Sequence, residues 1–298
     1  MIPASALEPR NSTEVVSEKR GWHARLELGF VASEGKTRLG RRLHTGPLVV
    51  QRPFYPEPNG CCHVYLVHPP GGVVGGDELE LDVRVAPGAH ALLTTPSATK
   101  LYRSSGPRAT IRQRLSLESG ATLEWLPQET IAFSGSIASL STRVELEAGS
   151  SFIGSEVLCL GRPAAHESFD HGRLTQRFEI WQGARPLLVE QVQLTGGGAE
   201  LRQPWGLHGH STLGTLVAVS GLAPEVWAQR LPPLVQRLRE GLAPLAGLAA
   251  VTQVSGVVVC RFLGAGASEA HAVLRRAWQI VRPELTESPA VAPRIWAT

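Results

Sequence analysis

Four carboxylates in this sequence stand among apolar residues, where an acidic group has to be explained. Asp77 ends the glycine-rich segment "HPPGGVVGGD", and Glu129, Glu156 and Glu190 lie in "WLPQETIAF", "GSEVLCLG" and "LLVEQV". A carboxylate inside a strand-rich core needs a bound proton, an arginine partner or a cation. Because arginine is abundant in this chain, a salt bridge is the first alternative for each of these groups.

Cysteine and histidine supply weaker candidates for a metal site. The segment "CCH" at 61–63 contains Cys61 and His63, and "HGH" at 208–210 would put two imidazoles on one face of a strand. Neither segment has the paired C-x-x-C-like arms of a structural zinc site. Cys61 and His63 are therefore secondary candidates, since an unpaired cysteine is often simply buried.

Other catalytic and cofactor motifs are missing from the sequence. The glycine-rich segment lacks both the Gly-Lys-Ser/Thr ending of a P-loop and the G-x-G-x-x-G of a dinucleotide loop. No G-x-S-x-G and no Cys-His-Asn order suggests a catalytic triad. We predict no tightly bound cofactor. One enzymatic alternative stays open, a hydrolase that pairs Asp77 with Glu78 or Glu129 across a cleft, about 5–9 Å apart.

Composition limits the classes of protein and partner. The 298 residues are 43% hydrophobic and 18% charged with a formal net charge of +3, which is typical of a globular chain. The densest basic run, at 35–42, is short and lacks aromatics, so no nucleic acid partner is predicted. No apolar run reaches the roughly 20 residues of a membrane span. We expect a cytoplasmic protein with no membrane partner and a flexible tail over residues 1–20.

Alternating hydrophobicity dominates the first two thirds of the chain and predicts strands with one buried face. It is clear at 110–117, 142–149 and 173–181. A faint repeat also places Gly88, Gly120 and Gly149 before successive strands. Repeats of about 30 residues suggest strand pairs stacked on one another. We therefore predict a mainly β fold of stacked, layered strands, similar to a β-solenoid.

Helices are predicted only near the C-terminus. The segment 223–242 is expected to form two short helices, because Pro232 and Pro233 interrupt its pattern. A second segment, 268–285, has an apolar stripe that Ser268 can cap and that Pro283 should end. A buried strand is predicted at 254–264 between them. No linker-like composition divides residues 21–298, which predicts a single domain.

Several long motifs resemble the urease accessory protein UreD family, called UreH in some systems. They are "CHVYLVHPPGGVVGGDELEL", "GAHALLTTPSATKLYRS", "WLPQETIAFSGS", "SEVLCLGRPAAHESFDHGRL" and "PRIWAT", and the resemblance runs from about Gly21 to the C-terminus. It implies a non-enzymatic scaffold that bridges apo-urease to accessory proteins F and G. The resemblance further implies delivery of nickel to urease, with an internal passage as the route.

On this interpretation, Asp77, Glu129, Glu156 and Glu190 are candidate ligands of nickel in transit. Nickel(II) accepts carboxylate and imidazole ligands, and a transit path needs them weak and spaced, because a tight site would trap the ion. A plain interaction module without metal traffic remains the other alternative.

Two further expectations follow from the resemblance. Ile295 and Trp296 in "PRIWAT" are candidates for a partner contact. The family usually has Phe-Asp-Gly where this chain has Phe133-Ser134-Gly135. If that aspartate guides nickel, its role is either lost here or supplied by a neighbour such as Glu129.

Overall fold

The computed structural model describes residues 21–245 and 247–297, leaving aside the side chain of residue 164. The predicted tail over residues 1–20 lies outside these residues. In chain order the strands are β1 (His23–Ser33), β2 (Lys36–Thr45), β3 (Val49–Val50), β4 (Cys62–Val67), β5 (Glu78–Val85), β6 (His90–Thr94), β7 (Thr99–Leu101), β8 (Ala109–Leu117), β9 (Thr122–Trp125), β10 (Thr130–Ala132), β11 (Ile137–Leu146), β12 (Ser151–Leu160), β13 (Arg173–Gln182), β14 (Arg185–Thr195), β15 (Thr212–Val219), β16 (Leu248–Val254) and β17 (Val257–Gly264).

These strands form two sheets. The first sheet has the order β14-β13-β11-β8-β5-β1-β2, with parallel neighbours from β13 to β1 and an antiparallel hairpin at each end. The second sheet has the order β16-β17-β15-β12-β9-β6-β4-β3, and its strands β12, β9, β6 and β4 are parallel. Short β7 and β10 join the second sheet beside β12.

The chain winds between the two sheets as a solenoid. From β4 to β13, the long strands fall alternately in the second and the first sheet, so each turn adds one parallel strand to each. Gly88, Gly120 and Gly149 lie in equivalent turns with φ of 69°, 72° and 84°, a left-handed conformation that favours glycine. The β-solenoid-like fold predicted from the glycine repeat is confirmed, because each turn buries its faces on its neighbours.

The space between the sheets holds the larger hydrophobic core. Alternate residues of each strand point into it, as Leu26, Leu28 and Phe30 of β1 do, and these three side chains are at most 1% exposed. Each such side chain contributes roughly 1.5–3 kcal/mol when it is fully buried.

Helices cover the outer face of the second sheet and form a second core with it. The two that do so are α2 (Pro224–Leu242) and α3 (Ala267–Thr286), whereas the short α1 (Ala199–Arg202) contacts β14 of the first sheet. Turns of 3-10 helix lie at Pro163–Ala165 and Arg294–Ala297. Trp227 and Leu234 of α2 and Val273 and Trp278 of α3 are buried in this second core.

The predicted break in the first helical segment was wrong, since α2 runs without interruption through Pro232 and Pro233. Both prolines lie on the exposed side, as do Ala228 and Gln229, whose carbonyls lose their helical donors. Water can satisfy those carbonyls, while the buried stripe on the opposite face continues past the prolines.

Three smaller boundaries also differ from the prediction. The N-cap of α3 is Gly266 rather than Ser268, and the helix continues three residues beyond an exposed Pro283. The segment 254–264 contains the end of β16 and a turn before β17 begins at Val257. The segment 208–210 lies in the turn before β15, not on a strand face.

Candidate functional site

Two adjoining cavities lie between the sheets. The first has a volume of about 150 Å³ and extends from the glycine-rich loop at Gly71 and Gly72 to Glu156. The second has a volume of about 60 Å³ and continues from Glu156 to Glu190 and Arg261. Gln176 and Glu156 line both cavities, so the two spaces meet at these side chains.

Glu156 lies at the centre of this arrangement because the inward-facing positions of β12 point between the sheets. Gln176 Nε2 donates a hydrogen bond to its Oε2 at 2.6 Å. The Thr142 hydroxyl lies 2.5 Å from Glu156 Oε1 and 2.7 Å from Gln113 Oε1. The Thr142 hydroxyl has one proton, so it can donate to Glu156 Oε1 or to Gln113 Oε1 but not to both at once.

Burial has the largest effect on the pKa of Glu156. Burial raises it from an ordinary value of 4.5 to about 7, against the lowering effect of the Thr142 and Gln176 hydrogen bonds, and the Glu190 charge raises it slightly further. A carboxyl of this kind exchanges its proton near neutral pH.

Glu190 lies where the second cavity approaches solvent. It belongs to β14, at the edge of the first sheet, and forms an ion pair with Arg261 of β17 in the second sheet. Arg261 is also 3.4 Å from the Thr215 hydroxyl. The structure thus brings two of the four predicted carboxylates, Glu156 and Glu190, to one cavity.

The other two predicted carboxylates lie elsewhere and have protein partners. Asp77 accepts backbone N–H groups of Trp22 at 2.8 Å and of Val74 at 2.9 Å, so it holds the glycine-rich turn against the start of β1. Glu129 pairs with His271 of α3 at 2.8 Å, and this hydrogen bond lowers the pKa of Glu129.

Cys61 and His63 lie beside a buried ionic network that was not predicted from the sequence. His63 Nε2 is 2.7 Å from Glu57, and Arg282 of α3 donates to Glu57 at 2.6 Å and to Glu124 at 2.9 and 3.1 Å. The sequence signal for this network was Arg282, which follows Val281 of the apolar stripe. A buried guanidinium requires carboxylate partners.

Glu124 has two further partners besides Arg282. It also accepts Trp278 Nε1 at 2.6 Å and contacts His90 at 2.8 Å. Burial opposes its charge, but the His90 contact and the Arg282 charge outweigh burial and lower its pKa to about 2.

The ligand atoms of Glu57, Cys61 and His63 lie within 4.8 Å of one another, as do those of Cys61, His90 and Glu124. These spacings would admit a metal ion. However, Arg282 already binds both carboxylates, and burial raises the pKa of the Cys61 thiol well above its usual value. Either set would have to displace Arg282 and ionise Cys61 to hold a cation, so Cys61 and His63 stay predictions.

Ser134, the position at which the resemblance predicted an aspartate, forms hydrogen bonds with the backbone of a neighbouring turn. Its hydroxyl accepts N–H groups of Asp170 and His171, both at 3.3 Å, and its own N–H donates to Glu167 at 3.1 Å. A hydroxyl can thus cap this turn as a carboxylate would. Glu129, the predicted substitute, is paired with α3 instead.

The C-terminal candidates pack on the second core. Trp296 donates its indole N–H to Thr94 at 2.9 Å and stacks edge-on against Trp278, with ring centroids 5.5 Å apart. Arg275 lies over its ring. Ile295 is partly buried beside it. This position gives Trp296 a packing role, and the predicted partner contact stays a prediction.

Two sheets wound as a solenoid, with helices on one outer face, define a β-solenoid protein. The family model for the UreD urease accessory protein matches residues 23–297, and the chain belongs to this family of non-catalytic urease accessory proteins. The UreD proteins of Pseudomonas putida strain W619, Citrobacter koseri and Klebsiella aerogenes are 46%, 42% and 44% identical to it. They cover 93%, 97% and 94% of this chain, and the matched segments span 95%, 97% and 98% of their own lengths.

The hydrolase alternative was wrong, because the chain belongs to a family of non-catalytic accessory proteins. The structure agrees, since both Asp77 oxygens accept backbone N–H groups and Glu129 is paired with His271. Among the residues that the structure describes, no helix combines the length and apolar character needed to cross a membrane.

Proposed function

We propose that this urease maturation protein bridges apo-urease to accessory proteins F and G and conducts nickel between its two sheets. The observation that supports this function is the pair of cavities that adjoin at Glu156 and Gln176. A solenoid encloses such a space lengthwise, so an ion could move within the scaffold without meeting bulk water. The predicted cytoplasmic location is part of the proposal.

The donor set between the sheets suits transient contact with a divalent ion. Glu156, Gln113, Thr142 and Gln176 supply oxygen donors, and Glu156 can trade its proton for the cation. Nickel(II) prefers imidazole and thiolate to amide and hydroxyl oxygens, so these contacts are weak enough to release it. Asp77 and Glu129 contribute less to the proposed path, because each already has partners outside the cavities.

The second candidate is an interaction module without metal traffic. The pairing of Asp77, Glu129 and Glu190 with other groups of the chain favours it, since a structural role accounts for those three carboxylates. The two functions differ in what they require of Glu156, which has no cationic side chain among its hydrogen-bond partners.

Glu156→Gln tests the proposed function, because it removes the exchangeable carboxyl at nearly constant volume. We expect urease activation by the reconstituted accessory proteins and nickel to slow by about tenfold, since a cation in a low-dielectric space depends strongly on one carboxylate. The matched control is Glu284→Gln, which removes a carboxylate from an ion pair on the helices.

Capture of F and apo-urease is measured on the same preparations. A stable Glu156→Gln variant that forms the complex and activates urease at the control rate would leave the protein as a bridge without nickel transit.

A further inference from the structure

One ion pair lines the part of the second cavity that is not shared with the first. Glu190 and Arg261 reach toward each other from strands of different sheets, and both line this cavity. Leu213 and Val217 of β15 and Val192 of β14 are the apolar neighbours there. An ion that moves within this cavity between Glu156 and Arg261 therefore comes close to the Glu190–Arg261 pair.

This pair differs from the buried network around Arg282. The Arg261 side chain is 51% exposed and that of Glu190 is 21% exposed, whereas Arg282 and Glu124 are both 0% exposed. Exposed ion pairs contribute little to stability and break readily. Because the pair lines a cavity, its charges act directly on a cation that approaches there.

The two members of the pair act on a cation in opposite ways. Glu190 would attract a divalent ion, and its neighbour across the cavity is Glu156. Arg261 neutralises Glu190 and places a positive charge at the entrance. A cation approaching this end thus meets a neutral pair and not a carboxylate.

We propose that Arg261 is an electrostatic gate at this end of the inter-sheet cavities, closed while it pairs with Glu190 and open when it turns toward solvent. This inference rests on the proposed function. It adds a form of regulation that the proposed function does not need. With the gate open, Glu190 and Glu156 offer two carboxylates to a divalent cation. With it closed, cations are kept from entering at this end.

The test measures Ni²⁺ binding to the full chain by isothermal titration calorimetry at one pH and one ionic strength. Arg261→Gln removes the guanidinium charge, and we expect Ni²⁺ to bind about tenfold more tightly than to the unmodified chain. Arg261→Lys keeps a positive charge and should bind as the unmodified chain does. Binding at surface histidines is common to all variants and cancels in the comparison.

Two further variants make the result specific. Arg237→Gln is the matched control, since Arg237 is 53% exposed and pairs with a Glu284 that is 22% exposed, almost the same exposures as the gate pair. It should leave Ni²⁺ binding unchanged. Arg261→Gln combined with Glu190→Gln should abolish the gain.

Unchanged affinity in Arg261→Gln, or a gain that persists without Glu190, would overturn the gate.

Failure of the gate and failure of the proposed function are distinguishable. If Glu156→Gln slows urease activation but Arg261→Gln binds Ni²⁺ normally, transit stands and the gate is wrong. If Arg261→Gln gains affinity but Glu156→Gln activates urease fully, Arg261 controls access of Ni²⁺ to a cavity that is not the delivery route.

Discussion

The pKa of a buried glutamate in this protein depends on whether a cationic side chain lies beside it, as Glu156 and Glu124 show. Glu124, which is fully buried, binds Arg282 and has its pKa lowered to about 2. Glu156 has an amide and a hydroxyl as partners, and its pKa rises to about 7. The same residue type on two strands of one sheet therefore carries a permanent charge in one place and an exchangeable proton in the other.

The raised pKa of Glu156 predicts a pH-dependent stability. The folded state holds this proton more tightly than the unfolded chain does, so its contribution is fully present below pH 4.5 and is lost as pH rises through 7. Glu156→Gln cannot ionise, and we expect it to gain about 2–3 kcal/mol relative to the unmodified chain between pH 5 and pH 8.

Urea unfolding of both proteins at pH 5 and pH 8 measures this difference. A gap between them that does not change with pH would mean that Glu156 titrates alike in the folded and unfolded states.

At the scale of elements, the solenoid turns depend on backbone conformation more than on contacts. Gly120 has φ of 72°, and an added Cβ would meet nothing closer than the Gly88 nitrogen at 3.8 Å. Space is therefore available for a side chain, and the left-handed conformation is the remaining cost.

Gly120→Ala should consequently lower the free energy of unfolding by about 1 kcal/mol through strain alone. Gly120→Asn should lose less, because asparagine tolerates this conformation better. Thermal unfolding of the three proteins checks the order. Equal stability of the alanine and glycine proteins would show that the turn can shift to negative φ without cost.

Formation of α2, by contrast, depends on tertiary contacts more than on the helix propensity of its residues. Two consecutive prolines fail to break α2 because they stand on its exposed side while Leu231, Leu234 and Val235 remain in the second core. Burial of that stripe outweighs the lost helical hydrogen bonds.

At the scale of the whole molecule, the second sheet belongs to two cores at once. Its inner face packs on the first sheet, and its outer face packs on α2 and α3. Arg282 and Trp296 connect the C-terminal region to this sheet through Glu124 and Thr94. The C-terminal segment is thus part of the folded body.

Trp296→Ala should therefore lower the free energy of unfolding by about 2 kcal/mol, because it removes a partly buried indole and its hydrogen bond to Thr94. Arg294→Ala, at an exposed position in the same turn, is the control. Chemical unfolding gives the stability, and capture of the F protein by the folded variant tests the partner contact predicted for Ile295 and Trp296. Capture lost without any loss of stability would contradict the packing role of Trp296.

Local patterns in the sequence predicted several of the strands and their layering. Alternation at 110–117 and 173–181 matches β8 and β13, and the repeated glycines mark the turns, because strand periodicity and left-handed φ are properties of a few neighbouring residues. The four carboxylates could likewise be selected as unusual from their apolar surroundings, and the family from its motifs.

Tertiary structure alone decided which charges meet. Arg261 and Glu190 are 71 residues apart, and Arg282 and Glu57 are 225 apart, so no local pattern could pair them. The fold brings β14 and β17 of different sheets close enough for Glu190 to pair with Arg261, and it buries Glu156 beside a hydroxyl and an amide. The charge state of a buried group depends on every element packed around it, and the fold brings those elements together from distant parts of the chain.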